Sequence, residues 1–154
     1  MSGRPRILLI DATAEGLDEA GLRSRARAAC VDAVCSSRSY RHPFALVACH
    51  DGAVGVDIER LMPFDARFAE SIITPRERER LAESDDPALY VTDLWSGKEA
   101  LAKALGDPIA YDPRRLDAPG LWPEGRSGRW RAERLPVPAG HVGWVCWAAR
   151  PPSG

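Results

Sequence analysis

The stretch FALVACHDGAVGVDIE, Phe44 to Glu59, decides how the chain folds. Two apolar runs flank Asp51-Gly52, a dipeptide that tolerates the positive φ angles of a tight two-residue turn. The pattern predicts a β-hairpin, with both strands side by side in one sheet. Along the second strand, side chains alternate between faces. Val56 and Ile58 then point into a core, while Asp57 and Glu59 leave the opposite face together. Two carboxylates side by side on a half-buried sheet repel one another, so one takes a raised pKa unless a cation lies between them. The ordinary alternative at this spacing is a strand end with both acids splayed into water.

Downstream, Thr74-Pro75-Arg76-Glu77 reads as a capping box with proline at the first helical position, predicting a helix from Pro75 to Ala82. Asp86-Pro87 opens a longer helix that runs through ALYVTDLWSGKEALAKAL and stops at Gly106. Tyr90, Leu94, Leu101 and Leu105 are spaced to form its buried stripe. Gly97 inside it costs about 1 kcal/mol against alanine, which marks a place of close approach. Trp95, Glu99 and Lys103 lie four apart on one face, and Lys98 diverges from Glu99 by about 100°. Upstream, residues 4–10 read as a strand and Ala14 to Ala33 as a helix. Towards the C-terminus, Gly128 to Leu135 and His141 to Ala149 read as strands.

A length of 154 residues, 45% of them hydrophobic and 28% charged, fits one globular domain. A net charge of −1 provides no basic field for duplex nucleic acid. The apolar runs are too short to span a bilayer, and the N-terminus shows no secretory leader, so a cytoplasmic protein is expected. The four cysteines form no CxxC pair and are read as reduced, mostly buried thiols. Of 21 basic residues only Lys98 and Lys103 are lysines, and both fall within LWSGKEALAKALG, Leu94 to Gly106. In so arginine-rich a chain, a retained lysine marks a position where a compact ammonium differs from a planar fork.

Taken together, VGVDIE (Val54 to Glu59) and WSGKEALAKALG (Trp95 to Gly106) resemble the two signature motifs of the 4′-phosphopantetheinyl transferases. Val54, Gly55, Val56, Asp57 and Glu59 fill the first; Trp95, Ser96, Lys98, Glu99, Ala100, Lys103, Ala104 and Gly106 fill the second. FAESIITPRERERL, Phe68 to Leu81, is similar to the segment that links them. The resemblance implies an α+β fold, an antiparallel sheet packed against the long helix; periodicity alone supports only a mixture of helix and strand. It also implies magnesium-dependent transfer of the phosphopantetheine arm of coenzyme A to a serine of an acyl or peptidyl carrier protein, releasing 3′,5′-ADP. On that reading Asp57, Glu59 and Glu99 hold the metal, and Glu99 is the base for the serine. Lys103 meets the charge developing on the diphosphate, and Lys98 contacts a phosphate of coenzyme A or the carrier protein.

Two departures qualify the resemblance. Larger, surfactin-type members carry a Ser-x-Ser-His motif for coenzyme A phosphates, and the matching stretch here is SRSY, Ser37 to Tyr40. Ser39 and Tyr40 are then expected at the cofactor with Arg38, Arg41 and His42 as neighbouring cations, although tyrosine brings no charge. The N-terminal half, residues 1–50, is reduced beside the motif-bearing half, residues 51–154. Its missing contacts point to Arg23, Arg25 and Arg27, or to a second copy of the chain in a homo-oligomer. These departures keep open a catalytically impaired relative that binds carrier protein or coenzyme A. Arg76 and Arg80, on one helical face, are candidates to meet an acidic carrier. A metal-dependent nuclease also uses acids and a lysine, but there Glu-x-Lys is expected on a strand.

Overall fold

The computed structural model describes residues 3–106 and 111–149. Its strands are β1 (Arg6–Asp11), β2 (Cys35–Arg41), β3 (Phe44–His50), β4 (Val54–Arg60), β5 (Arg126–Ser127), β6 (Trp130–Arg134) and β7 (His141–Ala148). The helices are α1 (Ala12–Glu15), α2 (Glu19–Ala28), α3 (Ala66–Ile72), α4 (Pro75–Ala82) and α5 (Pro87–Leu105). Each helix opens on a side chain that accepts from first-turn amides: Asp11, Asp18, Asp65, Thr74 and Asp86. The fold is α+β with antiparallel pairing throughout both sheets. No helix among the described residues is long and apolar enough to cross a membrane.

The hairpin predicted around Asp51-Gly52 does not form. β3 pairs with β1 and β2 in a three-stranded sheet, while β4 pairs with β7 in a four-stranded sheet ordered β4-β7-β6-β5. Neither Asp51 nor Gly52 has a positive φ, so the chain steps from one sheet to the other instead of reversing tightly. The true hairpin is β2–β3, closed at His42-Pro43, whose peptide bond is cis.

Burial explains why the local signal misled. Ala45, Val47 and Cys49 face a core built with α2, and Leu46 and Ala48 face the other sheet through Val54, Val56, Ile58 and Val145. β3 is apolar on both faces because both are covered. The opposite face of the four-stranded sheet packs Trp144 and Cys146 on Ala100, Leu101 and Ala104 of α5. The layers therefore run α2, first sheet, second sheet, α5.

The sheets also meet along an edge. Ser37 Oγ accepts from the Val56 amide at 3.0 Å, and Ser39 Oγ accepts from the Ile58 amide at 3.1 Å. Two serines of β2 thus satisfy the edge of β4 that a further strand would otherwise pair. Lys103 closes the same seam, its Nζ donating to the carbonyls of Val56 at 2.9 Å and Arg38 at 3.1 Å.

Three further expectations change. The helix read over Ala14 to Ala33 is broken at Gly16, in the left-handed region at φ 68°, and ends at Ala28. The stripe of α5 is wider than four residues, because the helix is wrapped by the sheet on one side and by α3 and α4 on the other. Leu94 and Leu101 are buried and Leu105 is exposed, while Lys98, Ser96 and Ala100 are fully enclosed. Cys30 and Cys49, expected as free thiols, are bridged: α2 packs across β3 and sets their Cα atoms 5.7 Å apart. Cys35 and Cys146 are free.

Gly55 sets the distance between β4 and α5. A Cβ there would overlap the Ala100 carbonyl oxygen and lie 2.5 Å from the Ala104 amide nitrogen, both rigid backbone. Gly55→Ala is expected to cost on the order of 3 kcal/mol, the upper range for overpacking. Urea unfolding of the variant checks this; an unchanged midpoint would contradict the contact. Gly97 serves packing too, facing Pro119 and Trp144.

Candidate active site

β4 and α5 cross at Gly55, with Lys103 of α5 beside that glycine and Asp57 two residues further along β4. Asp57 and Glu59 are 3% and 5% exposed, which removes the solvated strand-end alternative. The Asp57 Oδ1 atom lies 3.7 Å from Lys103 Nζ and accepts from Ser39 Oγ at 3.4 Å. Ser96 of α5 donates to the Asp57 carbonyl at 3.4 Å. Asp57 Oδ2 is buried without a hydrogen-bond partner.

Electrostatics follow from that crowding. Burial first, and the Glu59 carboxylate second, raise the Asp57 carboxyl to about 8, against the pull of Lys103. Burial also raises Glu99, with Glu59 adding to the shift and Lys103 and Arg41 opposing it. A raised acid is thus present, and Asp57 carries it although Lys103 stands 3.7 Å away.

Beside the acids lies an open cleft of about 500 Å³, lined by Glu19, Leu22 and Arg23 from α2, Tyr40, Arg41 and His42 around the end of β2, and Glu59, Arg60 and Met62. Three guanidinium groups and an imidazole around one cleft suit a ligand with several phosphates. The Arg23 guanidinium stacks on the Tyr40 ring at 4.3 Å from its centre. Where the motif expects histidine, the tyrosine thus supplies a platform that aims an arginine from α2. Among the three α2 arginines considered, Arg23 lines the cleft, whereas Arg25 pairs with Glu15 at 3.2 Å and Arg27 contacts Ser24.

Other expected residues lie elsewhere. Lys98, expected at a phosphate, is fully buried, and its Nζ donates to the Ile72 carbonyl, Glu77 Oε1 and the Pro113 carbonyl. It has no path to solvent, coenzyme A or a carrier protein. Glu77, visible in the sequence only as a helix cap, is its buried partner at 2.6 Å and also accepts from the amides of Thr74 and Ala118. Ser39 is 4% exposed and serves the seam and Asp57, and Arg38 meets Lys103 through its carbonyl; neither lines the cleft. Arg76 is tied to Asp117 at 2.9 Å, while Arg80 is exposed. Trp95 stacks edge-on with Phe68 of α3.

A sequence profile of the 4′-phosphopantetheinyl transferase superfamily matches residues 53–136, more than half of the chain, and so spans both acids of β4 and the whole of α5. The chain belongs to this superfamily. Among curated relatives, a 4′-phosphopantetheinyl transferase of Bacillus pumilus is 33% identical over 75 residues, covering 47% of this chain and 32% of the relative. Holo-[acyl-carrier-protein] synthases of Aromatoleum aromaticum and an Azoarcus species are 43% and 44% identical over 53 and 52 residues. Each of these matches covers 34% of this chain, and they cover 42% and 41% of the synthases. The chain thus matches less than half the length of each of these relatives.

As it stands, the trio expected for a superfamily metal site is not assembled. Among the described residues, no three His, Cys, Asp or Glu side chains are gathered closely enough to hold an ion. The Arg41 guanidinium sits on Glu59, at 2.6 Å from Oε2 and 2.7 Å from Oε1. The chemistry nevertheless fits a hard divalent cation. The donors are carboxylate oxygens, one of them is buried and unpartnered, and the most enclosed acid is raised by burial and by the neighbouring Glu59 carboxylate.

Proposed function

We propose that this transferase-superfamily protein moves the 4′-phosphopantetheine arm of coenzyme A onto a serine of an acyl or peptidyl carrier protein. The supporting observation is Asp57 at 3.7 Å from Lys103, with Glu59 and Glu99 within electrostatic reach of one another, beside a cleft lined by arginines. In the reaction the serine oxygen forms a bond to the outer phosphorus of the diphosphate, and the bond from that phosphorus to 3′,5′-ADP breaks. Such a transfer depends on positioning and charge neutralisation more than on covalent help. Magnesium, when bound, supplies that neutralisation, and Asp57, Glu59 and Glu99 are the residues that would hold it.

The protein's own groups account for the rest. Arg23, Arg41 and Arg60 hold phosphates in the cleft. Glu99, half-buried and raised, accepts the serine proton. Lys103, fixed by two carbonyls, keeps its ammonium beside the acids, where it meets charge on the departing oxygen. Ser39 orients Asp57. Residues 1–50 are read as a counterpart of the motif-bearing half, and a second copy of the chain as a source of further contacts to the ligand.

Intact-protein mass spectrometry tests the activity. The protein is mixed with coenzyme A, magnesium and a panel of apo-carrier proteins, and a magnesium-dependent gain of one phosphopantetheine arm is expected. Coenzyme A binding without any transfer would favour the impaired, accessory reading, which Arg41's hold on Glu59 also suits. Arg23→Ala is expected to weaken coenzyme A binding by about tenfold or more, the value of one charge-assisted hydrogen bond. Calorimetry checks it, and unchanged affinity would place the phosphates elsewhere.

A further inference from the structure

Arg41 ends β2 at the one place where the cleft and the acid pair touch. Its Nη2 lies 2.7 Å from Glu59 Oε1 and 2.6 Å from Oε2, its Nε lies 3.2 Å from Oε2, and its Nη1 donates to the Tyr40 carbonyl at 2.7 Å. The Glu59 side chain is 7% exposed and that of Arg41 is 41% exposed. Glu59 therefore has its carboxylate filled by the guanidinium, while the arginine keeps an open side towards the cleft. A divalent cation and Arg41 compete for the same two oxygens. A phosphate in the cleft offers Arg41 another anion whose oxygens can accept two hydrogen bonds from the guanidinium.

We propose that Arg41 is an internal counter-ion that occupies Glu59 until a phosphate-bearing ligand draws it away, so that Arg41 couples ligand binding to divalent-cation binding. The inference rests on the reading of Asp57, Glu59 and Glu99 as metal ligands. Linkage gives it a definite form: whatever factor the ligand adds to cation affinity, the cation adds to ligand affinity. Part of that factor comes from direct contact between cation and phosphate in any such site. The part assigned to Arg41 is the removal of a competitor, and it is visible with no ligand present. Arg41 is thus a positioning residue for Glu59, separate from its contact with phosphate.

The test is binding of manganese to the whole chain, followed by the electron paramagnetic resonance of the free ion, with and without coenzyme A. Wild-type protein is expected to bind manganese weakly alone and more tightly with coenzyme A. Arg41→Ala is expected to bind manganese alone about tenfold more tightly, since a charge-assisted, two-point competitor is gone. Coenzyme A should then add a smaller factor than in the wild type. Arg25→Ala removes a positive charge from α2, beside the cleft, without touching Glu59, because Arg25 pairs with Glu15 at 3.2 Å. It should change manganese affinity by less than about twofold, as expected for a screened surface charge.

An Arg41→Ala variant that binds no more tightly than wild type overturns the inference. So does an equal gain from Arg25→Ala, which would make the effect one of net charge. Glu59→Gln separates this inference from the metal reading. It is expected to weaken manganese binding and, combined with Arg41→Ala, to abolish the gain. Should Glu59→Gln bind like wild type, or should no form bind manganese with or without coenzyme A, the metal reading falls and the inference with it. If Arg41→Ala does not fold, as judged by its thermal transition, Arg41→Lys carries the test. It keeps the charge but loses the fork, and a gain between those of wild type and alanine is expected; no gain overturns the proposal.

Discussion

Glu99→Gln should lower transfer to a carrier protein by about a thousandfold, within the range for losing a general base, with little change in thermal stability. The side chain is half-buried on α5 and raised mainly by burial, so a neutral amide of the same shape fits its surroundings. Asp57→Asn should be equally damaging to transfer, for a different reason. Asp57 is the most enclosed of the three acids, and its amide would be a poor ligand for a hard cation. Its stability should move the other way. The Asp57 carboxyl rises from 3.8 to about 8 on folding, so the folded state binds the extra proton between those values. Wild-type stability therefore falls as pH climbs through that window, and Asp57→Asn removes this loss. Melting the pair at pH 5 and pH 8 should show the asparagine variant gaining on wild type at the higher pH. Single-turnover mass spectrometry supplies the rates. A Glu99→Gln enzyme that keeps a tenth of wild-type transfer would remove Glu99 as the base.

The parts of this protein that were legible in sequence are those set by neighbours in the chain. Proline after Thr74 and Asp86, and Gly106 in the left-handed region at φ 79°, mark α4 and α5 at their observed ends. The period of two in VGVDIE places both acids on one face of β4, and both motifs converge on the crossing with α5. What was not legible depended on partners far along the chain. Asp51-Gly52 reads as a hairpin because the pairing of β4 with β7, some ninety residues later, leaves no local mark. Ser39 reads as a phosphate ligand because nothing nearby reveals that its hydroxyl, with that of Ser37, closes the edge of another strand. Arg41 and Glu59 are 18 residues apart, so a cation for the acid pair was expected from a metal when a guanidinium already stood there. The disulfide likewise joins residues that share no motif, and only the packing of α2 across β3 brings them together.

The two lysines, alike in sequence, divide on the same principle, and their division leads to the largest expected change in stability. Lys103 emerges beside the acids, whereas Lys98 points to the far side of α5 and ends within hydrogen-bond distance of three acceptors from three segments. Its pair with Glu77 has both side chains at 0% exposure. Glu77 in turn holds the start of α4 and the amide of Ala118, so a single buried charge pair fastens α3, α4 and the segment around residue 113 to the motif helix. Burial lowers the Lys98 ammonium while Glu77 draws it back up, so each charge depends on the other. Lys98→Met keeps the length of the stem, removes the charge and leaves Glu77 buried without its counter-ion. Breaking such a pair from one side costs about 3–5 kcal/mol. For a chain of this size that corresponds to a fall of roughly 10 °C in Tm. Removing both charges in Lys98→Met/Glu77→Gln should recover part of the loss, because no bare charge then remains inside. A lysine bound to coenzyme A would give the opposite pattern, with affinity lost and Tm kept. Calorimetric melting and coenzyme A titration of the single variant therefore distinguish the two roles directly, and a Tm within a degree or two of wild type would return Lys98 to the ligand.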